Sequence, residues 1–156
     1  MTEENKNSDH DAPMIMIQAN IDDMNPELYS YVMDRLFASG ASDVYLVPVI
    51  MKKGRPGIVV NVLVKQSLQQ TMEEIIFKET TTFGLRYQNV ICHRLKRSFE
   101  KVETPWGMVT VKISHFKKLP AHKAPEYEDC ARLASEHQIP AKDVFQYVQN
   151  KIAHDS

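Results

Sequence analysis

The order of apolar patterns between residues 14 and 90 is the feature that most constrains the fold of this chain. Some stretches are short and rich in β-branched residues, which favours strands, and others repeat their apolar residues at helical spacing. In chain order they predict a strand at 14–18, a helix at 25–40, strands at 44–51 and 58–65, a helix at 67–79 and a strand at 85–90. This order predicts a ferredoxin-like βαββαβ sandwich of the α+β class, with both helices on one face of the sheet.

Further patterns extend the sandwich towards the C-terminus. Strand patterns flank the turn Thr104-Pro105-Trp106-Gly107, which predicts a second β-hairpin. Two helical patterns follow, and each begins at a proline, Pro125 or Pro140. We therefore expect a disordered polar leader over residues 1–13, a ferredoxin-like domain with an added hairpin over residues 14–118, and a helical tail over residues 119–156.

The composition argues against nucleic-acid and membrane partners. Lys and Arg total 19 against 20 Asp and Glu, a net charge of −1, whereas a dedicated DNA-binding domain has a basic excess. No run of about 18 apolar residues is present, so the sequence predicts no transmembrane helix. The polar N-terminus has no secretory pattern, and Cys92 and Cys130 lack a C-x-x-C partner. We expect a cytoplasmic protein without disulfides or structural zinc.

Two adjacent carboxylates lie between the first predicted strand and the first predicted helix. Asp22 and Asp23 can hold a hard divalent cation, which prefers oxygen ligands and is often bound together with phosphate. The same dipeptide also occurs in turns that precede a helix, and the residues alone favour that structural explanation.

Two other stretches carry groups that suit an anion. Lys52, Lys53 and Arg55 lie on one tight turn, which suits phosphate but also suits a solvated hairpin tip. The second stretch contains Thr80, Thr81, Thr82 and Arg86. Its hydroxyl groups and guanidinium can donate hydrogen bonds to an anion, but threonine is also common where a chain enters a strand. The G-x-x-x-x-G-K-[ST] phosphate-binding motif does not occur in the sequence, so any nucleotide has to be bound by a different set of residues.

These segments together resemble the C-terminal half of the LarC-type nickel insertion proteins, in matching order over about residues 14–145. The resemblance lies in Asn20-Ile21-Asp22-Asp23-Met24-Asn25-Pro26-Glu27, Met51-Lys52-Lys53-Gly54-Arg55-Pro56-Gly57 and Glu79-Thr80-Thr81-Thr82-Phe83-Gly84-Leu85-Arg86. The later blocks Thr104-Pro105-Trp106-Gly107 and Lys123-Ala124-Pro125-Glu126-Tyr127-Glu128-Asp129-Cys130 are also similar to this family.

The resemblance implies a function and a set of roles. Proteins of this family insert nickel into pyridinium-3,5-bisthiocarboxylic acid mononucleotide, which completes the nickel-pincer cofactor of lactate racemase. They act as cyclometallases of the lyase class and depend on CTP with Mn²⁺ or Mg²⁺. The implied roles are divalent-ion ligands for Asp22 and Asp23, and nucleotide binding for Lys52, Lys53, Arg55, Thr80, Thr81, Thr82 and Arg86. No catalytic residue is assigned.

The family proteins have a large N-terminal region that precedes these motifs, so we expect this chain to work with that half as a partner. The six histidines show no chelating spacing, which agrees with nickel ligands in the other half. We also expect a homo-oligomer, because the sheets leave edges and Trp106 adds apolar surface. A ferredoxin-like module that binds a small ligand without chemistry stays open as the alternative function.

Overall fold

The computed structural model describes residues 12–119 and 121–154, which form two compact units that divide between His93 and Arg94. All but the last two residues of the expected leader lie outside the described residues. No helix in the described ranges is long and apolar enough to span a membrane. The hairpin that follows residue 94 belongs to the second unit, whereas the sequence analysis grouped it with the sandwich.

The first unit is the ferredoxin-like sandwich that the sequence predicts. Its elements are β1 (Met14–Ile21), α1 (Leu28–Ala38), β2 (Asp43–Ile50), β3 (Pro56–Lys65), α2 (Gln69–Glu79) and β4 (Arg86–Val90). The strands lie in the order β2-β3-β1-β4, and every neighbouring pair is antiparallel. Each helix therefore connects two strands that are separated in the sheet by a third, as a split βαβ unit requires.

The core of this unit lies between the sheet and the two helices. Alternate residues of the central strands, such as Ile17 and Val62, are fully buried against the helices. The helices contribute Leu36, Met72 and Ile76, which are also fully buried, and each such side chain stabilises the fold by about 1.5–3 kcal/mol. Because the burial alternates along the strands, the register is fixed.

The first helix begins later than the sequence suggests. The Asn25 side chain accepts a hydrogen bond of 3.1 Å from the Glu27 N–H, and residues 26–27 form a turn. Helix α1 then begins at Leu28. It ends before Gly40, whose φ of 101° is in the region that favours glycine and whose added Cβ would lie 2.9 Å from Leu68 Cδ1.

The second unit is a three-stranded antiparallel sheet with two helices on one face. Its elements are β5 (Lys96–Thr104), β6 (Gly107–His115), β7 (His122–Pro125), α3 (Tyr127–His137) and α4 (Ala141–His154). The sequence analysis did not predict β7. Trp106 packs against the core of this unit and meets Tyr147 edge-on at 5.6 Å between ring centroids. The indole is therefore part of the unit's own packing, which weakens the use of Trp106 as an argument for oligomerisation.

Candidate functional site

The topology of the first unit brings three loops to one edge of its sheet. β1 lies between β3 and β4 and is antiparallel to both. The end of β1 at Ile21 therefore lies beside the starts of β3 and β4, at Pro56 and Arg86. The three stretches that carry the candidate residues meet here, as a ferredoxin-like strand order requires.

Asp22 and Arg55 join two of these loops. Arg55 Nη1 lies 3.4 Å from Asp22 Oδ2, and the arginine side chain is 60% exposed. A tight turn holds Arg55, since the Met51 N–H donates to the Arg55 carbonyl at 2.7 Å. The turn also needs left-handed backbone at Lys53 (φ 63°) and Gly54 (φ 71°), which glycine adopts without steric cost. An exposed ion pair of this kind adds at most about 1 kcal/mol of stability, so it does not by itself explain the arrangement.

The two lysines of the same turn behave differently from Arg55. Lys52 and Lys53 are exposed, and neither forms an ion pair with any residue that the structure describes. The structure therefore brings Arg55 to the paired acids and leaves both ammonium groups in solvent at the same edge of the sheet.

The Thr run contributes one hydroxyl to the paired acids. Thr81 Oγ1 donates to Asp23 Oδ1 at 2.5 Å, across a sequence separation of 58 residues. Thr80 Oγ1 donates instead to the Ile76 carbonyl at 2.7 Å and finishes helix α2. Thr82 Oγ1 donates to the Gly84 carbonyl at 3.0 Å within its own loop. Of the three hydroxyls, Thr81 is the one that reaches the carboxylates in this conformation.

Arg86 joins the third loop to the end of β1. Its guanidinium donates a hydrogen bond to the Asn20 side-chain oxygen. The sequence analysis quoted Asn20 within the family motif but did not place it among the candidate site residues. Its position between the end of the predicted strand at residue 18 and the paired acids is the signal that could have identified it. Asn20, Asp22 and Asp23 thus each contact a different loop or strand.

An apolar pocket of about 530 Å³ adjoins these groups. Asp22 lines it together with mainly apolar residues of β1, β2, β3, α1 and the loop between β1 and α1, among them Met24, Tyr29, Pro48, Ile50, Pro56 and Ile58. Burial raises the pKa of Tyr29, and the nearby Asp23 carboxylate raises it further, so the phenol stays protonated at neutral pH. Sequence patterns did not reveal this pocket, because its walls come from four separate elements.

The polar groups that meet at this edge are carboxylate, hydroxyl and amide oxygens together with guanidinium groups, and they include no thiolate and no imidazole. Two carboxylates, one hydroxyl and one amide oxygen suit a hard divalent cation and its phosphate ligands. Among the described residues, no group of three or more His, Cys, Asp or Glu side chains lies close enough to hold a metal. The pair Asp22 and Asp23 is thus insufficient for a closed protein site, but it suffices for a cation that also takes oxygens from a phosphate.

Comparison with known proteins identifies relatives over most of the chain. Residues 1–145 match the family described as nickel insertion protein. The chain is 46% identical over 134 residues to the pyridinium-3,5-bisthiocarboxylic acid mononucleotide nickel insertion protein of Clostridium kluyveri, which covers 85% of this chain and 33% of that protein. It is 37% identical over 139 residues to the protein of the same name from Thermotoga petrophila, with 89% and 35% covered. The chain spans about a third of the length of these curated relatives.

Two solved structures are similar in fold. One is LarC2, the C-terminal domain of a cyclometallase involved in the synthesis of the NPN cofactor of lactate racemase, in its apo form. Its TM-score is 0.86 at 39% identity, over 94% of this chain and 99% of that chain. A protein of Methanopyrus kandleri has a TM-score of 0.65 at 21% identity, over 88% and 85% of the two chains, and shows the fold alone. The resemblance drawn from the motifs is confirmed, and the chain belongs to the nickel insertion protein family.

Proposed function

We propose that this chain is the CTP- and divalent-metal-binding part of a nickel insertase. In this proposal the complete enzyme loads nickel, as its substrate metal, into pyridinium-3,5-bisthiocarboxylic acid mononucleotide. Support comes from relatives named for insertion of nickel into this mononucleotide and from the similarity to a cyclometallase domain. The part of the relatives that this chain does not span is the proposed partner half.

The observation that carries the proposal is the meeting of three loops at one sheet edge. The pairs Asp22–Arg55 and Asp23–Thr81 join residues that are 33 and 58 positions apart in the sequence. A turn that only caps a helix would not need partners from two other loops. Acids and bases gathered in this way are suited to a metal–polyphosphate complex, which presents both signs of charge at once.

The metal is held by few protein ligands in this proposal. Asp22 and Asp23 supply carboxylate oxygens, and phosphate oxygens complete the coordination, as is usual for Mg²⁺ bound with a nucleotide. When bound, the cation neutralises charge on the phosphates. Because two carboxylates alone bind such a cation weakly, we expect Mn²⁺ to bind far more tightly in the presence of CTP than in its absence.

The cations of the two other loops neutralise the triphosphate. Lys52 and Lys53 are exposed and free of ion pairs with described residues, so they can approach phosphate without losing a partner. Arg55 donates to Asp22 at 3.4 Å, and this guanidinium would donate to phosphate instead where Asp22 serves as a metal ligand. Arg86 and Thr81 would act at the far side of the same edge.

The experiment is CTP binding to the purified chain, with and without Mn²⁺, in the wild type and in Asp23→Asn. We expect the variant to lose at least tenfold in CTP affinity in Mn²⁺ and to change little in EDTA, because the charge serves the cation. Asp34→Asn, on the exposed face of α1, is the matched control and is expected to bind as the wild type. Wild-type affinity of Asp23→Asn in Mn²⁺ would refute the metal assignment.

A further inference from the structure

The sheet of the second unit has a face that its own helices do not cover. α3 and α4 pack on one side, where Val109, Val111 and Ile113 are buried. Residues between these on β6, and their partners on β5 and β7, face the opposite side because successive side chains of a strand alternate. Within the described part of this unit, no helix lies on that side.

The strand register places an aromatic ring among cations on this second side. Phe99 on β5 pairs with Lys112 on β6. Arg97 and Lys101 lie two residues to either side of Phe99 on the same strand and the same face, at about 7 Å along the strand. A directly opposite residue such as Lys112 has its Cβ about 5 Å away. We call Arg97, Phe99, Lys101, Thr110, Lys112 and Ser114 the basic face; the exposed Glu103 lies on the same side at its end, two residues beyond Lys101.

The groups of the basic face are accessible. The Phe99 side chain is 61% exposed, and Arg97 and Lys101 are also exposed. Neither of these two cations forms an ion pair with a residue that the structure describes, whereas Lys112 Nζ lies 2.9 Å from a Glu126 carboxylate oxygen. A single exposed phenylalanine is unremarkable, but a ring between two unpaired cations offers both stacking and charge to one ligand.

We propose that the basic face binds an aromatic anion, whose ring stacks on Phe99 while its anionic groups contact Arg97 and Lys101. The identity of that ligand rests on the proposed function. The mononucleotide substrate, by its name, combines a pyridinium ring, two thiocarboxylates and a mononucleotide phosphate. Its ring is a cation that favours the face of Phe99, and its anionic groups favour the flanking side chains.

A small ligand fits this face better than a nucleic-acid strand does. Proteins that bind single strands stack successive bases on several aromatic side chains along a basic groove. The basic face carries one phenyl ring, and the chain as a whole has a net charge of −1. The hydroxyls of the basic face are engaged within the unit, since the Thr110 side chain hydrogen-bonds Asp129 and Ser114 Oγ donates to the His122 carbonyl at 3.5 Å, so Arg97 and Lys101 supply the contacts to a phosphate.

The test measures binding of nicotinic acid mononucleotide, a stable pyridinium carboxylate with a ribose phosphate, by isothermal titration calorimetry or NMR shift perturbation. Phe99→Ala is expected to weaken binding at least fivefold, and the double variant Arg97→Gln/Lys101→Gln at least tenfold with a smaller salt dependence. Phe99→Trp is expected to retain binding. Tyr127→Ala and Lys142→Gln, which change an exposed ring and an exposed cation of the same unit, are the matched controls and are expected to bind as the wild type.

A second set of measurements separates this inference from the proposed function. CTP affinity in Mn²⁺ is expected to be unchanged in Phe99→Ala, and mononucleotide affinity unchanged in Asp23→Asn. Failure of CTP binding with intact, Phe99-dependent mononucleotide binding would overturn the proposed function and support the basic face. The inference is overturned if the wild type does not bind the mononucleotide, if the Phe99 and Arg97/Lys101 variants bind it as the wild type, or if an oligodeoxythymidine binds more tightly with the same dependence.

Discussion

Gly57→Ala is the substitution whose effect the structure defines most sharply. Gly57 lies on β3 opposite Val49 and lines the apolar pocket beside Asp22. A Cβ at this position would lie 2.6 Å from Met51 Sδ and 2.8 Å from the Ile21 carbonyl oxygen. The methionine side chain can move, but the Ile21 carbonyl belongs to the last residue of β1. Ordinary contact begins at 3.4 Å, so restoring it needs a backbone movement of about 0.6 Å at this 2.8 Å approach.

The cost of this shift can be bounded. Overpacking of this kind costs about 1–3 kcal/mol, and the lower entropy of the unfolded alanine chain returns about 0.4–1 kcal/mol. A net loss of about 1–2 kcal/mol lowers the melting temperature of a unit of this size by about 4–16 °C. Since Ile21 is followed by Asp22, we also expect at least a threefold loss of CTP affinity in Mn²⁺.

The assay is thermal unfolding by circular dichroism together with CTP titration, for Gly57→Ala and its control Gly84→Ala. A Cβ at Gly84 would meet nothing within 4 Å, so the control is expected to be neutral or to gain about 0.4–1 kcal/mol. If Gly57→Ala melts at or above the wild-type temperature and binds CTP equally well, the close approach of β3 to the end of β1 does not constrain the site as we argue.

Three other outcomes follow from the structure. Hydrogen bonds from the Thr110 side chain and from the Thr110 N–H, the latter at 2.8 Å, lower the pKa of the Asp129 carboxyl below its usual 3.8, and Arg132 lowers it further. Asp129→Ala is expected to reduce the free energy of unfolding in urea by about 1.5–3 kcal/mol at pH 7, and this difference shrinks as the pH falls through the lowered pKa, where the wild type loses these bonds. A difference that stays constant down to pH 2 would contradict this. Light scattering is expected to report a homo-oligomer because β2 and β4 are the edge strands of the first sheet, and a monomer of 17.9 kDa at micromolar concentration would contradict this. The chain alone is expected to bind CTP and Mn²⁺ but not to load nickel into the mononucleotide efficiently, as measured by the mass of the product. Addition of the N-terminal half of a family protein is expected to restore loading. Full turnover by the chain alone would place the nickel site within these residues.

The sandwich could be predicted because its signals are strong and periodic. The first strand follows from the short apolar run at 14–18, and the helices place apolar residues on one face, so element type and order follow from these patterns. Strand β7 was not predicted because its four residues, His122–Pro125, include a histidine, a lysine and a proline, which are not typical of a strand. This segment is a strand because it pairs with β6.

The candidate site could be predicted at the level of loops and not at the level of partners. A ferredoxin-like strand order already places the segments that follow β1 and precede β3 and β4 at one edge. Which of three consecutive threonines reaches Asp23 depends on how helix α2 ends, since Thr80 is taken by the Ile76 carbonyl. The apolar pocket depends on side chains from four elements, and no local pattern encodes such an arrangement.

The long sequence separations within the three contacts at the sheet edge have a thermodynamic consequence. Arg55, Thr81 and Arg86 reach their partners across 33, 58 and 66 residues, so the unfolded chain does not hold these groups together. A ligand of this edge therefore binds the folded state alone and stabilises it by mass action, by about 2.7 kcal/mol at one hundred times its dissociation constant. The melting temperature of the first unit is therefore expected to rise with ligand binding, so it reports ligand occupancy without a catalytic assay.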